Sequence, residues 1–390
     1  MSTSRVAGSG RGVLRVAIVG CGKIADAHAS QIQRIGGCEL VGVCDREELM
    51  ARQLAERFHV REYFSDVTEL MNAARPDVVH VTTPPQSHFE IARRSLDAGC
   101  SVYIEKPFAL YRTEAEELIR LAERKKLKVT AGHDDQFRHA ARRLRQMVRD
   151  GYLGGAPVHM ESYYCYELEE TGAYARALLG DRNHWVRGLP GGLLHNIISH
   201  GIARIAEFLA GDTPEVFAHG MVSPTLQRMG ETEIADELRV IIADGDGATA
   251  YFTVSSQMRP SLHQFRIYGP RNGLLLDQDN ETLIRLAGKR YKSYAEHFLS
   301  PLILAGQYVG NTSRNVRRFL ANDFHTKSGM KYLIESFYRS ITEGAPPPIP
   351  YREILLTARI MDEIFGQIRK TIGQDGDPSP AAEGVKAQLT

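Results

Sequence analysis

Along the first third of the chain, apolar residues come in short runs, each followed by a stretch of helical periodicity. Leu14–Val19 reads as a strand of a parallel sheet buried on both faces. It enters the loop Gly20-Cys21-Gly22-Lys23-Ile24-Ala25, and Lys23–Ile35 then predicts a helix. Leu40–Cys44 is a second apolar run, ending at Asp45, and Glu47–Phe58 is helical by periodicity. Asp77–Thr82, Val102–Ile104 and Lys128–Ala131 predict further strands, alternating with helices over Phe89–Ala98 and Thr113–Lys125. Strands alternating with helices of this length specify a doubly wound parallel sheet.

The pattern changes after about residue 150. Pro157–Tyr166, Pro214–Gly220, Glu237–Ala243, Thr249–Ser256, His263–Tyr268 and Gly273–Asp277 are strand-like, and several alternate in character. Phe252 and Val254 face one way; Tyr251, Thr253 and Ser255 face the other. Turns such as Asp244-Gly245-Asp246-Gly247 separate them, which predicts a largely antiparallel sheet with one face on helices. Ala287–Asn322 is basic and aromatic, and a helix is one reading of a pattern that does not decide its structure. Lys327–Thr342 and Tyr351–Thr371 are helical, split by Pro346-Pro347-Pro348. The fold expected is α/β: a Rossmann domain over 13–132, rejoined by the helix 351–371, and an α+β domain over 133–350 with a largely antiparallel open sheet. Residues 1–12 and 373–390 are expected to be a disordered leader and tail.

A chain of 390 residues suits two domains. A net charge of +1 gives no electrostatic pointer to nucleic acid or an anionic membrane. The five cysteines are odd in number and contain no CxxC pair, so reduced, packed thiols in a cytoplasm are expected rather than disulfides or zinc.

The glycine loop carries the first chemistry. Gly20 permits a tight strand-to-helix turn, Gly22 lets a pyrophosphate approach, and Ala25 allows close helix–strand packing. The loop follows a strand and opens a helix, and Asp45 ends the second strand where an acid would accept hydrogen bonds from the adenosine ribose. A carboxylate there repels a 2′-phosphate, so NAD is the expected cofactor. Arg46, which could pair with that phosphate, leaves NADP open.

Thr82-Thr83-Pro84-Pro85-Gln86-Ser87-His88 and Glu105-Lys106-Pro107 follow two more predicted strands, at carboxyl ends where open α/β sheets bind ligands. Together with the glycine loop, Gly151-Tyr152-Leu153-Gly154, the Trp185 region and Gly191-Gly192-Leu193-Leu194 leading to His200, they resemble the Gfo/Idh/MocA family. The likeness runs from about residue 14 to 205 and resumes at 351–371. It implies a two-domain oxidoreductase moving hydride between a nicotinamide and a secondary carbinol of a sugar, nucleotide-sugar or cyclitol. It also implies roles for Lys106 and His200 at the reacting hydroxyl and for Thr83, Pro84, Pro85, His88 and Glu105 around the cofactor, with no metal needed.

The chemistry agrees with that implication. Hydride leaving a carbinol leaves a proton behind, so a base must stand within hydrogen-bond reach of the oxygen. A partly desolvated lysine near a cation, or a histidine, can serve. Members of the family commonly carry an Asp four residues before this histidine and another three after it; here those positions are Asn196 and Ala203. Asn196 is therefore expected to position substrate, with His200 or Lys106 as base. Trp185 suits either a core or stacking on a sugar, and Arg187 could meet a phosphate or carboxylate. His133-Asp134-Asp135 is read as solvated polarity at a strand end, because neighbours on a strand point apart.

Two rival functions stand beside the dehydrogenase. One is an enzyme that keeps its NAD and cleaves glycosides by transient oxidation. The other is a non-catalytic, dinucleotide-sensing regulator. The uncovered face of the second sheet leads to the expectation of a homodimer or homotetramer, since members of the family often associate through that face.

Overall fold

The computed structural model describes residues 13–167, 178–288, 293–325 and 327–371. The expected leader and the tail beyond 373 lie outside the described residues. The chain forms two compact units.

The first unit takes residues up to Phe108, then Glu116–Asp134 and Gly329–Tyr351. Its strands are β1 (Leu14–Val19), β2 (Cys38–Cys44), β3 (Tyr63–Phe64), β4 (Val78–Val81), β5 (Ser101–Ile104) and β6 (Val129–Ala131). All neighbouring pairs are parallel, in the order β3-β2-β1-β4-β5-β6. Every residue of β4, β5 and β6 is buried, which is why those runs show no alternation. Helices α1 (Lys23–Ile32), α2 (Glu48–Phe58), α3 (Val67–Ala74), α4 (His88–Asp97) and α5 (Arg112–Lys125) connect the strands. The expected α/β boundaries hold to within a few residues, and only the short β3 and α3 were not anticipated. The order reverses between β1 and β4, so the carboxyl ends of these strands open the crevice where dinucleotides bind in such sheets.

The second unit takes Ala109–Ala115, Asp135–Ser328 and the chain from Arg352, and contains α6 (His139–Arg149), α7 (Gly192–Ile197), α8 (Ser199–Ala206) and α9 (Pro224–Arg228). Its strands are β7 (His159–Cys165), β8 (Glu215–Met221), β9 (Glu237–Ala243), β10 (Thr249–Ser255), β11 (Leu262–Tyr268), β12 (Asn272–Asp277) and β13 (Thr282–Ala287). The sheet order is β13-β12-β11-β7-β10-β9-β8, antiparallel except for β10 on β7. Ala250, Phe252 and Val254 of β10 enter the core with Ile198, Ile202 and Ile205, while Tyr251, Ile241 and Phe217 stay exposed on the other face. That one-sided burial produces the alternation visible in the sequence.

Three helices close the chain: α10 (Ser293–Leu320), α11 (Ser328–Thr342) and α12 (Tyr351–Thr371). The helix that returns to the Rossmann unit is α11, through Phe337 on Tyr103 and Tyr338 on His80. The expectation of 351–371 in that role is corrected. Ile360, Ile364, Phe365 and Ile368 of α12 are part of the second unit's core, and the Gln367 side chain bonds Ala218 N–H and Val216 C=O of edge strand β8 at 2.8 and 2.7 Å. Periodicity reveals an apolar helix face, but not which sheet will accept it.

Helix α10 answers the open question over Ala287–Asn322. It runs 28 residues with Pro301 inside it. The Asn311 and Gln307 side chains bond the backbone of Leu283 and Arg285 on β13, satisfying groups that an edge strand would otherwise present. Among the described residues no helix is long and apolar enough to cross a membrane.

Candidate active site

The glycine loop has the geometry its sequence demands. Gly20 sits at φ +99, and a Cβ on it would lie 2.7 Å from Thr83, so only glycine fits. A Cβ on Gly22 would meet nothing within 4 Å, which leaves the loop a bare concavity ahead of the α1 N-terminus. Lys23 is exposed, Ile24 half-buried and Ala25 fully buried against the sheet. Asp45 accepts Cys21 N–H at 2.7 Å and Glu47 N–H at 3.0 Å, one on each carboxylate oxygen. Each oxygen keeps a lone pair for a ribose hydroxyl. Arg46 beside it is exposed. These residues fit a dinucleotide: the glycines and helix N-terminus for the pyrophosphate, Asp45 for the ribose.

The second loop is tied to the first and to the third. Thr82 Oγ1 donates to the Gly20 carbonyl at 2.6 Å, and Ser87 Oγ to Thr83 Oγ1 at 2.8 Å, so Thr83, Pro84 and Pro85 are held in a short turn. His88 is buried with Nε2 2.9 Å from the Thr83 carbonyl and Nδ1 2.8 Å from the Pro107 carbonyl. Burial pushes its pKa down, against the two carbonyls and Glu105, which favour the charged ring. His88 thus joins the Thr83-Pro84 turn to Glu105-Lys106-Pro107.

Behind Glu105 runs a buried chain of polar groups that no local pattern foretold. Glu105 Oε1 is 2.9 Å from His28 Nε2, His28 Nδ1 is 2.8 Å from His80 Nδ1, and His80 Nε2 is 2.8 Å from the Tyr338 hydroxyl. One proton arrangement satisfies every link: Tyr338 O–H donates to His80, His80 Nδ1–H to His28, and His28 Nε2–H to an ionised Glu105. Tyr103 stacks on His80 with ring centroids 4.7 Å apart. Burial would raise the Glu105 pKa, but the hydrogen bond from His28, with Lys106 beside it, brings it down to about 2. Burial, then His28, pushes the His80 pKa well below its ordinary value. Glu105 Oε2 accepts the Lys106 backbone N–H at 3.2 Å, so the chain ends on the backbone that carries the candidate base.

In the second unit, Asn196 on α7 lines a cavity of about 210 Å³ with Tyr166, Leu193, Asp236, Val254 and Ser256. His200, four residues on, is buried in α8 beside groups the sequence did not assemble. Asp135 Oδ2 lies 3.9 Å from His200 Nδ1, 3.2 Å from the Arg204 guanidinium and 3.0 Å from the Tyr164 hydroxyl. Burial would raise the Asp135 pKa; His200, Arg204, Arg138 and the Tyr164 hydroxyl together hold it well below the usual carboxylate range. The reading of Asp135 as solvated polarity is therefore corrected. Its backbone enters a short 3-10 turn after β6 instead of continuing the strand, which turns the side chain inward. Arg204, one helical turn after His200, was legible as a neighbour of the histidine.

Two other candidates lie in the loop before α7. The Arg187 guanidinium is committed to Glu231 at 2.6 Å and to the Leu178 carbonyl at 3.1 Å, so it staples a loop. Trp185 is 36% exposed and stacks on His184 with centroids 5.6 Å apart, so it is no core anchor. His195 is buried against Phe365, with centroids 4.7 Å apart. The five cysteines are all free thiols. Lys106 belongs to the first unit; Asn196 and His200 belong to the second.

Residues 14–133 match the model of an oxidoreductase family with an NAD-binding Rossmann fold, and residues 141–274 match the GFO/IDH/MocA C-terminal domain. The D-glucoside 3-dehydrogenase of Escherichia coli K12 is 38% identical over 144 residues, 36% of this chain and 40% of that one. Thus the chain spans well under half of that relative's length. The myo-inositol 2-dehydrogenase of Thermotoga maritima is 22% identical over 320 residues, 81% of this chain and 89% of that one. Among solved structures, the WlbA dehydrogenase of Bordetella pertussis, in complex with NADH and UDP-GlcNAcA, superposes with a TM-score of 0.73. It shares 16% identity and covers 92% of this chain and 96% of that one, a likeness of fold. With its NAD-binding Rossmann fold and its matching C-terminal domain, the chain belongs to the Gfo/Idh/MocA oxidoreductase family.

Proposed function

We propose that this protein is an NAD-dependent dehydrogenase or reductase acting on a secondary hydroxyl or keto carbon of a sugar, nucleotide-sugar or cyclitol. The observation that carries the reading is the cavity that Asn196 lines in the second unit. This cavity of about 210 Å³ has hydrogen-bonding groups at Asn196, Asp236 and Ser256, and aromatic and apolar walls at Tyr166, Leu193 and Val254. A polyol, with hydroxyls at its edge and C–H groups on its face, matches such a lining. The glucoside and inositol dehydrogenases it resembles act on such compounds by name.

Bound nicotinamide supplies the site that accepts or gives the hydride. Lys106 and His200 handle the proton of the reacting hydroxyl, and Asn196 orients the substrate. Asp135 acts through His200: its carboxylate favours the imidazolium that forms when the ring takes a proton. Glu105 holds the Lys106 backbone through its own hydrogen bond. Asp45, with a carboxylate where a 2′-phosphate would lie, favours NAD over NADP. Homo-oligomerisation through the exposed sheet face around Phe217, Ile241 and Tyr251, and a cytoplasmic location, complete the reading.

The test is a panel of free sugars, nucleotide-sugars and cyclitols, oxidised or reduced with NAD(H) and followed by nicotinamide absorbance. Turnover with one class supports the reading; tight NAD binding with no turnover on any of them overturns it.

A further inference from the structure

We propose that the outer stripe of α10 is a docking face for a second copy of this chain, packed antiparallel about Val309. Helix α10 rests on β13 along a narrow line through Gln307 and Asn311. At about 100° per residue, the opposite side of the helix carries Phe298, Leu302, Ala305, Val309, Thr312, Val316 and Phe319. Their spacing alternates four and three, the period of a helix seam that packs on another helix. Its large members are between 52% and 70% exposed, where a monomer would place charge.

Two features specify a second copy as the occupant. The stripe reads the same outward from Val309 in both directions: small Ala305 and Thr312, branched Leu302 and Val316, aromatic Phe298 and Phe319. A two-fold axis through Val309 sets each residue against its counterpart, as an isologous interface requires. The same axis selects the direction: crossing the helix at a right angle, it makes the pair antiparallel. Finally, the stripe with Tyr294 and Leu320 offers on the order of 800 Å² of apolar surface, the contribution of one partner to a standard interface. The helix lies beyond the 141–274 stretch matched by the family's C-terminal domain, so this face is separate from the open sheet.

The test uses the full chain. Val309→Cys should form a disulfide-linked dimer under mild oxidation, whereas Ile303→Cys, well off the seam, and the unmodified protein should not. Val309→Asp should halve the mass seen by light scattering, with the melting midpoint and NAD titration unchanged. If Val309→Asp unfolds the protein, the cross-link alone decides. Absence of the Val309→Cys cross-link overturns the proposal. So does an unchanged mass in a folded Val309→Asp variant, or a wild-type monomer that floats with anionic vesicles, which would make the stripe a membrane-surface helix.

Discussion

Oδ2 of Asp135 stands 3.9 Å from Nδ1 of His200. At that distance the two attract as charges without sharing a hydrogen bond. Asn196 and Ala203 leave His200 without a carboxylate at these two nearby positions in the sequence. The acid comes instead from a residue 65 positions earlier, and Arg204 and Tyr164 fix its orientation. A buried carboxylate kept ionised beside a titratable histidine is an arrangement suited to proton transfer.

Asp135→Asn removes the counter-charge of Arg204, a side chain only 3% exposed. Breaking a buried pair by deleting one partner costs about 3–5 kcal/mol, so the melting midpoint should fall by several degrees. Turnover should fall as well, while NAD affinity stays the same. A variant with wild-type melting would show that the Asp135–Arg204 contact does not stabilise the fold.

Lys106→Ala should reduce turnover by about 10²–10⁴, the usual worth of a positioned acid or base. Dinucleotide affinity, measured by fluorescence titration, should change less than roughly tenfold, or 1.4 kcal/mol. Loss of binding and turnover together would instead make Lys106 a cofactor anchor.

Stability of the first unit should fall with acid in two stages. His80 is held neutral in the fold with its pKa well below 6.5, so the unfolded chain takes up a proton there first, and stability declines as pH drops below 6.5. Glu105, at about 2 in the fold against 4.5 unfolded, adds a second loss as pH falls from 4.5 toward 2. Both contributions are complete above pH 6.5. Melting midpoints across that range should show the two-stage decline, and His80→Gln should flatten the part between 6.5 and 4.5. An unchanged profile in the variant would remove His80 from the account.

The features readable in advance are those fixed by neighbours in the chain. The apolar runs of β1, β4 and β5, the Gly20–Ala25 loop and Asp45 at the end of β2 all follow from short-range rules, because a strand buried on both faces and a glycine at positive φ leave local marks. Alternation in β10 foretold the one-sided sheet for the same reason. Helix α10 resisted because Pro301, Gly306 and Gly310 argue against a helix, and its packed side is a thin polar line. Side-chain amides bonding an edge strand carry no periodic signature.

Partnerships across long separations were decided only by the tertiary structure. His28, His80, Glu105 and Tyr338 are unremarkable singly and become one hydrogen-bonded chain once β4, β5, α1 and α11 are packed. Asp135 gained its role through a single turn after β6, and α12 its sheet through the shape of its apolar face. The sequence by itself determined where the dinucleotide loop lies and which residue types could do chemistry. Which carboxylate meets which histidine depended on burial, since only removal from water makes an unpaired charge costly enough to dictate its neighbour.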